Sequence, residues 1–108
     1  MLALHGQPKE DQLPIARVMT REGDPQELER QYRVISDRMN AQPLADGLLA
    51  HLALKRSNGI QIINVWESLE QSQAAFERPE FQEALREAGM SPAEIQPEDV
   101  EVMNVRTS

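Results

Sequence analysis

An α+β domain of the ferredoxin-like βαββαβ type is what this chain predicts, and three observations carry the expectation. Two helical stripes are placed so that one strand precedes the first, two separate them, and one follows the second. The middle pair is joined by Arg56-Ser57-Asn58-Gly59, and Asn-Gly between two β-rich runs is a strong hairpin signal. Strand, helix, strand, strand, helix, strand is the split βαβ order, whose usual solution is a four-stranded antiparallel sheet with helices on one face. The expectation further places the first and third strands at the centre, as parallel neighbours.

Each element has its own grammar. Residues 1–13 carry Gly6 and Pro8 without periodicity and are expected to form a flexible N-terminal arm, leaving 14–108 as one domain. Ile15–Arg21 alternates as a strand does. Asp24 is placed to cap a helix, with Pro25 at its first position and Glu27 completing a capping box. Leu28, Tyr32, Ile35 and Met39 then recur at spacings of four, three and four, one apolar stripe facing a sheet. Leu48–Lys55 and Ile60–Glu67 are the second and third strands. Ser68 caps the next helix, with Gln71 as its capping-box partner. Pro79 should break that helix and start another, bearing Phe81, Leu85 and Ala88 and stopped by Gly89. Ser91-Pro92-Ala93-Glu94 repeats the capping pattern for a short turn, and Val100–Arg106 supplies the last strand.

Composition excludes several classes. At 108 residues, folding should remove roughly two-thirds of the unfolded chain's surface from water. Hydrophobic residues make up 40%, too many for disorder, and no run is long enough to cross a membrane. The start lacks the basic and apolar regions of a secretory leader. The absence of cysteine excludes disulfides, thiolate catalysis and cysteine-ligated metals, and fits a cytoplasmic protein. The net charge is −7, and between Glu67 and Glu101 ten acidic residues face only Arg78 and Arg86. Such a surface repels a phosphate backbone, so nucleic acid is not an expected partner, and the acidic excess reads as a solvated face. There is no glycine-rich phosphate loop and no nucleophile triad. His5 and His51 stand too far apart in sequence for metal-ligand spacing, so neither metal nor cofactor is expected.

The third strand is apolar on both faces, with Ile60, Ile62 and Trp66 on one and Ile63 and Val65 on the other. If helices cover one face only, a symmetric second copy stacked on the other is the economical cover, and a homodimer is expected.

Val65-Trp66-Glu67-Ser68, the Leu69–Phe76 helix after it, the Pro79-Glu80-Phe81 restart and the Gly23-Asp24-Pro25-Gln26-Glu27-Leu28 opening resemble the antibiotic-biosynthesis-monooxygenase-like group over residues 14–106. The resemblance implies a dimeric α+β barrel. The group includes cofactor-free oxygenases of aromatic polyketide or quinol substrates, haem-degrading enzymes and small proteins with no assigned reaction. The haem-degrading branch pairs its tryptophan with an asparagine and a histidine ligand; here those positions hold Ala16 and Leu85, and a leucine cannot ligate iron.

Candidate site residues gather around Trp66, delivered where the third strand hands over to a helix. It either stacks on a flat ligand or fills the core. Asn64 shares its face and, once buried, must be hydrogen-bonded, to a ligand or to backbone. His51 depends on hairpin parity: a two-residue Asn58-Gly59 turn sets it opposite Trp66 on the helix side, and an odd loop sends it to the opposite face. On the helix side its ordinary titration range suits proton abstraction from a phenol or enol. Tyr32 and Phe76 close the pocket or pack. On the first strand, Ala16, Val18 and Thr20 are taken as the helix-side set because small residues leave room for a cavity, which sends Arg17 and Arg21 to the dimer face. The function expected is a homodimeric protein binding a small apolar or aromatic ligand. It is either a cofactor-independent monooxygenase acting on a small aromatic or enolisable compound, or a non-catalytic binding or stress-associated protein. In the enzyme, His51 is the base, Trp66 the platform, Asn64 the orienter, with Tyr32, Val18 and Phe76 lining the site.

Overall fold

Alternating side chains make Ile15–Glu22 the first strand, β1, of a computed structural model that describes residues 14–106. The expected arm at 1–13, with His5, and residues 107–108 lie outside the described residues. Helix α1 spans Pro25–Asn40, strand β2 Leu48–Arg56, strand β3 Gly59–Trp66, helices α2 and α3 Leu69–Phe76 and Pro79–Glu87, and strand β4 Glu98–Glu101. A 3-10 turn at Pro92–Glu94 precedes β4. No helix among the described residues is long and apolar enough to cross a membrane.

The helix ends follow the sequence with two departures. Asp24 Oδ1 accepts the Gln26 N–H at 3.3 Å, and Pro25 occupies the position whose N–H has no intrahelical partner. Glu27 does not close the capping box; it pairs with Arg30 at 2.6 Å, because a guanidinium one turn on offers charged donors where the cap offers one neutral N–H. Ser68 accepts the Gln71 N–H at 3.2 Å as expected. Its hydroxyl donates to Gln71 Oε1 at 3.1 Å, while Gln71 Nε2 turns to Glu67 at 3.4 Å, so the reciprocal backbone bond is not formed. Arg78 is extended (φ −62, ψ 138), as a residue before proline must be, and this divides α2 from α3. Gln82 Nε2 donates across the corner to the Phe76 carbonyl at 2.6 Å, and the Phe76 and Phe81 rings meet with centroids 5.5 Å apart. Gly89 (φ 81) ends α3: its N–H bonds the Arg86 carbonyl, and the Met90 N–H bonds that of Leu85 at 2.9 Å. That turn tucks Met90 against Leu85 and Ala88, where Val34, Ile35, Phe81 and Ile95 complete a core between α1 and α3.

The four strands lie in the order β2-β3-β1-β4, and every neighbouring pair is antiparallel. The first and third strands are central, but they are not parallel. β3 returns from β2 through a hairpin and slots between β2 and β1, so it opposes both. The hairpin turn is Ser57–Asn58, one residue earlier than expected, with Arg56 opposite Gly59. Gly59 therefore serves the ladder rather than the turn: a Cβ on it would lie 1.9 Å from the Arg21 carbonyl oxygen of β1. Moving the turn by one residue shifts the pairing by two, which preserves parity and leaves His51 on the helix side, opposite Asn64 instead of Trp66. A bulge between Leu48 and Ala50 then returns Leu48 to face Trp66.

The last strand is shorter and earlier than Val100–Arg106. β4 pairs only with β1, whose own ladder starts at Ile15 opposite Glu101; the Val102 N–H still reaches the Pro14 carbonyl at 3.0 Å. Pro97 ends it on the other side, since it has no N–H for the ladder.

Two glycines should respond differently to alanine. Gly59→Ala forces β1 away from β3 and is expected to lower stability by about 2–3 kcal/mol, as overpacking does. Gly89→Ala meets no atom within 4 Å and bears only the left-handed backbone penalty of about 1 kcal/mol. Urea denaturation of the two variants checks the order.

Candidate active site

One row of polar residues crosses the helix-side face of the sheet. β4 pairs Asp99 with Arg17 of β1, β1 pairs Arg17 with Asn64 of β3, and β3 pairs Asn64 with His51 of β2. The rows on either side are mainly apolar: Ile15, Trp66 and Leu48 on one flank, Met19, Ile62 and Ala53 on the other. Above the β2 end of this row stands Tyr32 of α1, its ring parallel to the His51 imidazole with centroids 6.1 Å apart.

Hydrogen bonds tie the row together at its two ends. His51 Nδ1 lies 2.5 Å from Asn64 Oδ1, an oxygen that can only accept, so the imidazole proton resides on Nδ1. In the neutral imidazole Nε2 is then an acceptor, and Tyr32 Oη donates to it at 2.9 Å. At the other end Arg17 grips Asp99 through Nε at 2.8 Å and Nη2 at 3.3 Å. The side chain of Glu29, one turn before Tyr32 on α1's sheet-facing flank, binds Arg33 at 2.6 Å and Lys55 of β2 at 3.2 Å. The Arg33 hydrogen bond first, and then Lys55, hold its carboxyl below the usual carboxylate range. Its contribution to folding is therefore present above that range and lost as the pH falls through the lowered value.

Arg17, Asn64, His51 and Tyr32 border a cavity of about 710 Å³ between the sheet and the three helices, a size suited to a small organic ligand. Of the expected site residues, His51, Asn64, Trp66, Tyr32 and Phe76 all line it, and Trp66, only 6% exposed, forms part of the floor. Val18 does not. It pairs with Ile63 on the far face, and the cavity side of β1 is Arg17, Met19 and Arg21. Small size was the wrong criterion there: the long aliphatic stems of the arginines cover the floor while their guanidinium heads find Asp99 and Glu94. Ala16 shares Val18's face, and Leu85, fully buried, lines the cavity as a hydrocarbon.

Sequence reasoning left Gln31 out. Its Oε1 is buried at the cavity with no hydrogen-bond partner among the described residues. It lies one residue from Tyr32 and between Leu28 and Ile35 on the inward stripe, and that position was the only signal available. Among the described residues, no three or more histidine, cysteine, aspartate or glutamate side chains are gathered to hold a metal ion.

An unpaired buried acceptor destabilises the ligand-free protein. Gln31→Met, which keeps the length and removes the orphan oxygen, is expected to raise stability by about 1 kcal/mol. Denaturant melts of the ligand-free protein check this, and equal or lower stability contradicts it.

No protein-family model and no curated protein matches this sequence. Solved structures do match its fold. A protein from Chloroflexus aurantiacus J-10-fl named as an antibiotic biosynthesis monooxygenase superposes with a TM-score of 0.68 at 14% identity, over 87% of this chain and 97% of that one. SnoaB, a cofactor-independent oxygenase from Streptomyces nogalater, matches with a TM-score of 0.53 at 21% identity, over 90% and 96%. A protein of unknown function from Nitrosomonas europaea matches with a TM-score of 0.65 at 15% identity, over 91% and 97%. The resemblance carried by Val65–Ser68 and its flanking helices thus holds in three dimensions: the chain has the ferredoxin-like α+β fold of the antibiotic-biosynthesis-monooxygenase-like structures.

Proposed function

We propose that this chain is a cytoplasmic homodimer that oxygenates a small aromatic or enolisable compound without a cofactor. The observation that carries the reading is the Asn64–His51–Tyr32 chain set into the wall of an otherwise largely apolar cavity floored by Trp66. The fold shared with SnoaB supports it.

The chemistry follows from the tautomer. Asn64 holds the imidazole proton on Nδ1, so the Nε2 lone pair is free to take another. A substrate hydroxyl or enolisable C–H next to Tyr32 Oη loses its proton to that oxygen as Tyr32 passes its own to Nε2, or loses it to Nε2 directly after displacing Tyr32. The resulting carbanion, stacked on Trp66, gives one electron to dioxygen. The radical pair combines to a hydroperoxide, and loss of water leaves a carbonyl. The balance is one CH₂ and one O₂ converted to one C=O and one H₂O, with the substrate as reductant. The apolar walls keep bulk water from reprotonating the carbanion.

The second copy covers the face the helices leave bare. Val18, Leu52, Leu54, Ile63, Val65 and Val100 lie there, and Leu52 and Val100 are 52% and 43% exposed in the single chain. A contiguous apolar sheet face of this kind marks an interaction site.

Oxygen consumption with a panel of anthrones and quinols tests the enzyme. Uptake of one O₂ per substrate without added metal or cofactor is expected, and His51→Ala should lower turnover by about 10²–10⁴-fold, the usual worth of a general base. No uptake with any of the panel, together with no quenching of Trp66 fluorescence, refutes the reading. For the assembly, sedimentation should give a dimer at micromolar concentration and Leu52→Asp a folded monomer; a wild-type monomer overturns the pairing.

A further inference from the structure

We infer that the ligand is an aromatic carboxylate, received at the β1 end of the polar row by Arg17 with Arg21 beside it. The inference rests on the cavity being a ligand site and adds the substrate's charge. Three arginines, Arg17, Arg21 and Arg78, and one glutamate, Glu94, are the charged residues that line it, in a protein whose net charge is −7. Each guanidinium already has a carboxylate partner, Asp99 for Arg17, Glu94 for Arg21 and, at 3.7 Å, Glu80 for Arg78, so what the cavity offers an anion is spare guanidinium donors.

The guanidinium donors are underused. Arg17 places Nε and Nη2 on Asp99 and leaves Nη1 without a partner among the described residues. Arg21 gives Nη1 to the Met90 sulfur, a weak acceptor, at 3.7 Å, and Nη2 to Glu94 only at 3.5 Å. Their side chains are 17% and 28% exposed, so most of each arginine is turned into the protein. A carboxylate fits the planar guanidinium fork. With Asp99 already neutralising Arg17 in part and Glu94 near Arg21, the pair suits one negative charge better than two.

The row also sets the ligand's orientation. Neighbouring strands lie about 4.8 Å apart, so Arg17 and His51 are anchored roughly 10 Å apart, with Asn64 between them. An aromatic acid laid along this row puts its carboxylate at Arg17, its ring over the Asn64 row against Trp66, and its hydroxyl at Tyr32 and His51. The orphan Gln31 Oε1 is then a second acceptor for a ligand hydroxyl.

Calorimetric titration of the full chain with 6-hydroxy-2-naphthoate and with its neutral twin, 6-hydroxy-2-naphthamide, tests the inference. The acid is expected to bind roughly tenfold to a hundredfold tighter, the range for a charge-assisted hydrogen bond. Arg17→Gln should cut the acid's affinity to about that of the amide. Because that change also removes Arg17's hold on β4, Asp99→Asn is the companion: it keeps Arg17, removes its competing carboxylate, and should tighten the acid alone. Equal binding of acid and amide to the wild type, binding of neither, or an Asp99→Asn protein that gains nothing for the acid overturns the inference. Oxygen uptake with the anthrones and quinols is a separate readout: a protein that prefers the acid yet takes up no oxygen with that panel supports the carboxylate site and refutes the oxygenase, while one that takes up oxygen yet binds acid and amide alike does the reverse.

Discussion

The register of β1 is the constraint on which the site depends. β1 is clasped between β3 and β4, and its pairings bring Asp99, Arg17, Asn64 and, through β3, His51 into one row. A slip of one residue would send Arg17, Met19 and Arg21 to the bare face and bring Ala16, Val18 and Thr20 under the helices. The cavity would lose two of its three arginines and the bare face its apolar character together. Two features hold the register: the Gly59 backbone pressed against Arg21, which no other residue permits, and the paired oxygens of Asp99 on Arg17.

Packing density is uneven. Ala84, Leu85 and Ala88 are wholly enclosed, and with Met90 they bind α3 to α1. Beneath that contact the stripe of α1 stands off the sheet: Tyr32 and Met39 face the hollow rather than filling a core, and Ile35 borders both. The enclosed contact lets the fold tolerate the hollow, and the helices act as a roof carried along one edge. The α2–α3 corner, held by the Phe76–Phe81 contact and Gln82, is the opposite support.

The architecture was legible because punctuation and period agreed: Asp24-Pro25, Ser68, Pro79 and Gly89 bound helices where the structure has them. Trp66, Asn64, His51, Tyr32 and Phe76 were legible as one site because strand parity places them. β1 misled for a physical reason. Arginine counts as polar in a pattern yet behaves as hydrocarbon for most of its length, so Ile15-Ala16-Arg17-Val18-Met19-Thr20-Arg21 has no plainly apolar face to choose. The Asn58-Gly59 pair gave the hairpin but not its register, because Gly59 answers a steric demand from β1, a strand more than thirty residues away in sequence. β4 was misplaced for a similar reason, since its length is set by where β1 begins and by Pro97. The Tyr32–His51 bond joins a helix to a strand, and no local pattern encodes it.

Every side chain in the polar row projects from a regular ladder, and the one above it from the middle of a helix. Loop tips contribute nothing to that line of groups. Insertions and deletions at the connections could therefore accumulate over descent without disturbing the chemistry, while single exchanges at a rung, such as arginine for an uncharged residue, would redirect it in one step. Homologues of this molecule should diverge in outline early and in appetite abruptly.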